Sequence, residues 1–174
     1  MSNLLNGKIA VVTGANRGIG RSITEKFSEN HCDIFACMRE VTLETKQWLN
    51  NLENKFNIVI TPIELDLSDE DSIKKSIKQI FSISKRIDIL VNNAGIASGG
   101  LFQMTPISEL RKVFEINLFS QILFTQGIAK IMIRNKSGSI INLSSSAAFI
   151  ADPGTLSYGS SKSALIRATE SMAT

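Results

Sequence analysis

The sequence predicts a three-layer αβα sandwich, a doubly wound parallel sheet with helices on both faces, in a single domain over residues 1–174. Three observations predict it. Short apolar runs recur along the chain, helix-period segments separate them, and the first run passes into a helix through a glycine-rich turn. Such alternation requires crossover connections, which are right-handed and build a parallel sheet.

Taken in order, "KIAVVTG" (8–14), "DIFACM" (33–38), "NIVITPI" (57–63), "IDILVNN" (87–93) and "GSIINLSS" (138–145) read as buried strands. Helical periodicity fills about 18–30, 42–53, 69–84 and 106–135, and begins again near 155. The stretch 113–133, "VFEINLFSQILFTQGIAKIMI", is apolar around nearly its whole circumference, which implies burial on two sides. One side faces the sheet, and the other faces either a second subunit or the interior of one large core. The last segment, "LIRATESMAT", is still helical in pattern at residue 174 and carries no capping residue, so the expectation is a fold cut short at its C-terminus.

Composition narrows the function. With 43% hydrophobic and 20% charged residues the chain is of globular type, long enough to bury one sizeable core. A net charge of +3 is too diffuse to argue for nucleic acid; its densest cluster, Lys74, Lys75, Lys78, Lys85 and Arg86, reads as a solvated helix face and its exit. The start "MSNLLNGK" shows no targeting core, and no apolar stretch is read as long and uninterrupted enough to span a membrane. A cytoplasmic location follows as the expectation. Cys32 and Cys37 lack zinc spacing and are expected buried and reduced, and His31 has no second metal ligand near it, so no metal is expected.

The turn "VVTGANRGIGRS" places Gly14, Gly18 and Gly20 at G-x3-G-x-G between a strand and a helix. Gly14 permits the tight turn, Gly18 lets backbone approach a pyrophosphate, and Gly20 lets the helix pack on its strand. The helix N-terminus then offers free N–H groups and partial positive charge to phosphates. Nucleotide binding is the reading preferred over a plain glycine-rich turn. The second strand ends "ACMRE", with Met38 where an acidic residue holds the ribose hydroxyls in dinucleotide folds. Arg39 follows, and Arg17 lies inside the turn. Two guanidiniums at that corner favour a phosphate monoester, hence NADP(H), unless Glu40 takes the acidic role after a register shift or both arginines are simply solvated.

"TGANRGIG", "NNAG" (92–95), "INLSS" (141–145) and "YGSSK" (158–162) together resemble the short-chain dehydrogenases/reductases in order and spacing, over essentially the whole chain. The resemblance implies a Rossmann-type fold with roles assigned by position. Tyr158 is similar to the general acid/base, Lys162 at i+4 to the lysine that reaches the tyrosine environment and the nicotinamide ribose, and Ser145 to the hydroxyl that polarises the carbonyl. Asn117 is similar to the asparagine that anchors a water linking Lys162 to solvent. Asp66 matches the adenine-contacting acid, Asn92, Ala94 and Gly95 line the adenosine-ribose side, and Asn16 and Ile19 join Gly14, Arg17, Gly18, Gly20 and Arg39 around the cofactor. An ordinary phenol titrates at about 10, and a cation beside it favours the phenolate, which brings acid/base exchange toward neutrality. Singly, each residue has a structural alternative, Tyr158 as a half-buried helix aromatic and Asn117 as the partner of a backbone group; jointly they point to catalysis.

The implied reaction is reversible, NADP(H)-dependent reduction of a carbonyl to a secondary alcohol. Within the family the chain is similar to the 3-oxoacyl-(acyl-carrier-protein) reductase group, which implies a 3-oxoacyl thioester of fatty acid synthesis, an acidic acyl carrier protein as possible partner, and a homodimer or homotetramer. One departure is "ASGGLFQM" after "NNAGI", where that group has a Thr-Arg-Asp stretch. Arg134 and Lys136 are candidates either to meet such a carrier or to close their helix. The alternatives are a reductase for another small ketone, sugar or steroid, and a non-catalytic nucleotide-binding or assembly protein, since the resemblance implies two further strands and a cover over the site beyond residue 174.

Overall fold

The computed structural model describes residues 3–174. Met1 and Ser2, at the start of the segment read for targeting, lie outside the described residues. Five strands, β1 (Ile9–Thr13), β2 (Asp33–Met38), β3 (Ile60–Glu64), β4 (Ile89–Asn92) and β5 (Ser139–Asn142), form one sheet in the order β3-β2-β1-β4-β5, every pairing parallel. The order reverses between β1 and β4, so the C-terminal ends of these strands open a crevice, the usual ligand position in such sheets.

Helices α1 (Gly18–Glu29) and α2 (Leu43–Phe56) cover one face, where Leu49 of α2 joins Ala10, Val12, Ile34 and Ala36 of the strands in one core cluster. Helices α3 (Glu70–Ile83), α4 (Ile107–Phe114), α5 (Ser120–Arg134) and α6 (Leu156–Met172) lie on the other side, where Ile73, Ile80, Phe124, Ile128 and Ile131 pack on Val11, Phe35 and Leu90. Continuous Val/Ile runs suit strands buried on both faces. Thr42 and Asp69 cap α2 and α3 through Thr45 N and Asp71 N, and Asn57 in the left-handed region (φ 53°) ends α2.

Several bounds and one segment differ from expectation: α2 runs to Phe56 rather than 53, and β5 covers Ser139–Asn142 rather than 138–145. β3 begins at Ile60 rather than 57, because Asn57 is consumed in ending α2. The 106–135 helix is broken by one π turn at Glu115–Phe119 between α4 and α5. Moreover, Ile107–Arg134 is by length and composition apolar enough to cross a membrane, contrary to the reading of the sequence; here it serves as a core helix, 56% of its most apolar window being buried in the fold. Its other flank carries the exposed Phe119 and Ile133, so a single large core does not account for the apolar circumference. Cys32 and Cys37 are buried and unpaired, and His31 (φ 60°) sits in the turn before β2 with Nδ1 at 3.0 Å from Phe56 O. Among the described residues no group of three or more His, Cys, Asp or Glu is placed to hold a metal.

Candidate active site

The glycine turn is built as its spacing requires. Gly14 and Gly18 have φ of +67° and +52°, and a Cβ on Gly20 would stand 2.1 Å from Gly14 O, so the first turn of α1 rests directly on the end of β1. Unlike α2 and α3, α1 has no side-chain cap, and a Cβ on Gly18 would meet nothing within 4 Å. Uncapped N–H groups facing open space fit a pyrophosphate. Asn16 is half-buried, and Arg17 and Ile19 are exposed on the same turn.

Asparagine and threonine side chains tie this turn to the segment after β4. Thr13 Oγ1 accepts from Asn93 N and Ala94 N, both at 3.0 Å, and Asn93 Nδ2 donates to Thr13 O (2.9 Å) and Gly14 O (3.3 Å). Sequence reasoning did not single out Asn93 or Thr13; the paired asparagines of "NNAG" were the available signal. Asn92, by contrast, turns inward: it is 1% exposed, Nδ2 donates to Thr125 Oγ1 and Asn142 Oδ1, and its carbonyl accepts from Leu143 N. The expectation that Asn92 lines the ribose side is therefore corrected. Of the trio, Ala94 is half-buried against the core and Gly95 is exposed.

At the adenosine corner Arg39 is exposed and lies near Asp66, whose carboxyl is held below its usual range by hydrogen bonds from Ser68 N and Oγ and then by the Arg39 charge. Asp66, expected at the adenine, thus lies on the strand-exit loop of β3 within reach of the Arg39 charge, and Glu40 is exposed on the exit of β2.

The chemistry-bearing side chains come from the loop after β5, α6 and the π turn. Tyr158 is half-buried in the first turn of α6. Lys162, one turn on, is 3% exposed; burial pushes its ammonium below the usual lysine range, and Nζ donates to Leu143 O at 2.7 Å. That nitrogen lies 5.9 Å from the Tyr158 ring centroid. Ser145 begins the loop and its Oγ accepts from Ala147 N, while Ser144 and Ser163 bond the loop to α6 through Lys162 O and Ala148 O. Gly159 permits this contact: a Cβ there would be 2.6 Å from Ala147 O. Asn117, in the π turn, is fully buried, receives Ile96 N on Oδ1 (2.9 Å), and donates through Nδ2 to Ile96 O (2.8 Å) and Ser161 Oγ (3.1 Å). The side chain therefore satisfies backbone, the structural alternative, yet its Oδ1 and Lys162 Nζ both border Gly95. One-turn π bulges are frequent at functional sites.

The residues grouped from the sequence thus gather at one end of the sheet, Asn92's side chain excepted. The short chain dehydrogenase family matches residues 8–174. The chain belongs to that family. It is 34% identical over 169 residues to the 3-oxoacyl-[acyl-carrier-protein] reductase FabG of Aquifex aeolicus, covering 97% of this chain and 68% of that protein. Among solved structures it resembles the Pseudomonas aeruginosa RhlG/NADP active-site complex (TM-score 0.88, 31% identity, 98% of this chain and 67% of that one). It also resembles L-sorbose reductase from Gluconobacter frateurii complexed with NADPH and L-sorbose (TM-score 0.92, 25% identity, 99% and 65%). The chain spans about two thirds of the length of these relatives. Members of the family are oxidoreductases, and the sheet order and flanking helices found here are theirs.

Beside the site, an open groove of about 580 Å³ runs between residues 100–103 and the 147–156 loop, reaching α6 at Gly159, Ser160 and Ser163. Its walls include exposed Leu101, Phe102, Phe149 and Ile150, with Asp152 as its one charged group; Ser145 and Tyr158 do not line it. Arg134 and Lys136 are far from it. α5 leads into the N-terminal end of β5 and Tyr158 follows the C-terminal end, so the two cations lie at the opposite end of the sheet, with Arg134 over the Phe81 ring at 5.2 Å.

Proposed function

We propose that this chain carries the cofactor site and proton-transfer groups of an NADP(H)-dependent carbonyl reductase whose substrate is a 3-oxoacyl thioester. The observation that carries the reading is the shared end of the sheet: the uncapped α1 N-terminus, half-buried Tyr158, buried Lys162 and Ser145 all open on it. Gly14, Asn16, Gly18, Ile19, Gly20, Ala94 and Gly95 hold the dinucleotide, and Arg17 and Arg39 take its 2′-phosphate. The likenesses to RhlG with NADP and to a reductase with NADPH support that choice. The nicotinamide supplies hydride when bound. Tyr158 gives the phenolic proton to the substrate oxygen, Ser145 donates a hydrogen bond to the same oxygen as charge develops, and the Lys162 cation lowers the cost of the phenolate left behind. Asn117 holds the Ile96 backbone and Ser161 in place behind Lys162.

Apolar groove walls and the absence of a cation among the groove residues suit an acyl chain better than a polyol. A second reading, reduction of a small polar ketone, is favoured by the L-sorbose reductase likeness. Rates of NADPH oxidation with an acetoacetyl thioester, a ketose and a steroid ketone separate them. Faster reduction of the ketose overturns the thioester half, and NADPH binding without reduction of any ketone leaves a nucleotide-binding protein. An acyl carrier partner is part of the thioester proposal, but within one chain Arg134 and Lys136 do not flank the site.

We further propose a homodimer or homotetramer. The exposed stripe Glu115, Phe119, Gln126, Lys130 and Ile133 is self-complementary: an antiparallel copy about an axis between Ile122 and Leu123 sets Glu115 against Lys130 of the second copy. Glu115→Lys should shift the sedimentation profile toward the 19.0 kDa monomer; an unchanged profile overturns that interface. A cytoplasmic location suits the unpaired, buried Cys32 and Cys37.

A further inference from the structure

Gln121 has no role in the account above, yet its setting is unusual. It is 1% exposed on a helix whose buried residues include polar Ser120 and Thr125 beside apolar Phe124 and Ile128, and it shares an unmet amide oxygen with Asn92 alone among the described residues. Its Nε2 donates to Ala94 O at 2.7 Å, and its Oε1, fully buried, has no donor among the described residues. A buried amide with one unmet acceptor lowers stability, and residues that break local rules in this way concentrate at functional sites.

Its neighbours on the same stripe explain the placement. Asn117, Gln121 and Thr125 stand four residues apart and bond, in turn, Ile96, Ala94 and Asn92, which stand two residues apart. Four helical residues advance about 6 Å, and two extended residues advance about 6.6 Å. The two ladders therefore stay nearly in step, and the segment leaving β4 is fastened along the π turn and α5 by three consecutive polar rungs. Ala94 is the middle rung and the most constrained. On one side its Cα would stand 3.1 Å from a Cβ on Gly14; on the other, a Cβ on Gly95 would stand 3.7 Å from Lys162 Nζ. The height of this turn thus sets the spacing between the phosphate turn and the lysine.

We propose that Gln121 is a positioning residue that fixes the Ala94–Gly95 turn against Gly14 and Lys162, in the geometry the dinucleotide crosses; the cofactor part rests on the NADP(H) reading above. Gln121 touches neither cofactor nor substrate. It holds the Ala94 carbonyl, and removal of that one donor lets the turn move while apolar packing in α5 is kept.

The test is Gln121→Met, which keeps length and volume and removes both polar atoms, with Gln121→Leu as a second variant. Amide exchange is measured without cofactor at Ile96 in the turn and at Leu90 in β4, with the melting temperature alongside, and NADPH is then titrated. The expected result is at least tenfold faster exchange at Ile96, unchanged exchange at Leu90, a melting temperature equal to or above wild type, and an NADPH Kd raised five- to twentyfold. Unchanged exchange at Ile96 overturns the proposal. So does faster exchange at both amides with a fall in melting temperature, which marks Gln121 as core packing. Faster exchange at Ile96 with an unchanged Kd overturns its role toward the cofactor. Should wild type bind no NADPH, the cofactor reading falls, while the exchange data alone decide whether Gln121 fixes the turn.

Discussion

Substituting Gly20 with alanine probes the junction on which the cofactor site depends. A Cβ at this position would lie 2.1 Å from Gly14 O, 2.8 Å from Gly14 C and 2.5 Å from Asn93 Nδ2. Two of these atoms are backbone and cannot swing aside, so α1 and the end of β1 must part by about 1 Å to reach ordinary contact. Overpacking of this kind costs about 1–3 kcal/mol. The Asn93 hydrogen bonds to Thr13 O and Gly14 O are strained by the same movement, at about 1 kcal/mol each. A loss of roughly 2–5 kcal/mol in a domain of this size corresponds to a fall in melting temperature of roughly 5–15 °C. The same displacement moves the free N–H groups of α1 away from the phosphates, so NADPH binding weakens at least tenfold, equivalent to about 1.4 kcal/mol. Thermal melting by circular dichroism and a fluorescence titration of NADPH measure both effects. A Gly20→Ala protein that melts within a degree of wild type and binds NADPH equally well refutes the packing argument and the phosphate site with it.

Three further outcomes follow from the site. Arg17→Ala and Arg39→Ala should each raise the Kd for NADPH about tenfold and leave that for NADH nearly unchanged, since a charge-assisted bond to the 2′-phosphate contributes about 1.5–3 kcal/mol; equal losses for both cofactors contradict the assignment. Burial lowers the Lys162 pKa, so the folded state releases its proton at lower pH than the unfolded state does. The unfolded state therefore binds more protons between the folded-state value and about 10.5, and the penalty from Lys162, full below that window, is relieved as pH rises through it. Wild type should gain stability relative to Lys162→Met on moving from pH 7 to pH 10 in parallel melts; a constant difference contradicts the buried cation. Gly18→Ala should cost about 1–2 kcal/mol of stability from its left-handed backbone alone, because its Cβ meets open space, and should weaken NADPH binding where the phosphates approach; unchanged binding argues against the pyrophosphate lying there.

Particular residues explain what the sequence could and could not reveal. β2 was legible to the residue because the apolar run "IFACM" is bounded by Asp33 and Arg39. "NIVITPI" was misplaced because the same apolar letters serve the α2 exit at Asn57–Val59 and the strand from Ile60 onward. Pro62 fits there since β3 is an edge strand, paired with β2 alone. The glycine turn was legible because a left-handed φ and a close helix–strand approach leave glycine little competition at Gly14 and Gly20. The inward turn of Asn92 was not legible, since "NNAG" does not state which asparagine faces which side of the sheet. Gln121 was invisible for a related reason: its partner, Ala94 O, lies 27 residues away and carries no side-chain signature. The π turn at Glu115–Phe119 had no signal either, because its residues keep ordinary helical propensity.

The central claim is that Tyr158 is the proton donor of an NADPH-dependent ketone reduction. Its most direct test compares NADPH oxidation by wild type and Tyr158→Phe with an acetoacetyl thioester, with NADPH affinity measured on both proteins. Wild type should turn over, the variant should lose about 10²–10⁴-fold, and the two NADPH affinities should lie within threefold of each other. Equal rates for the two proteins, or a wild type that binds NADPH and reduces no ketone, contradict it.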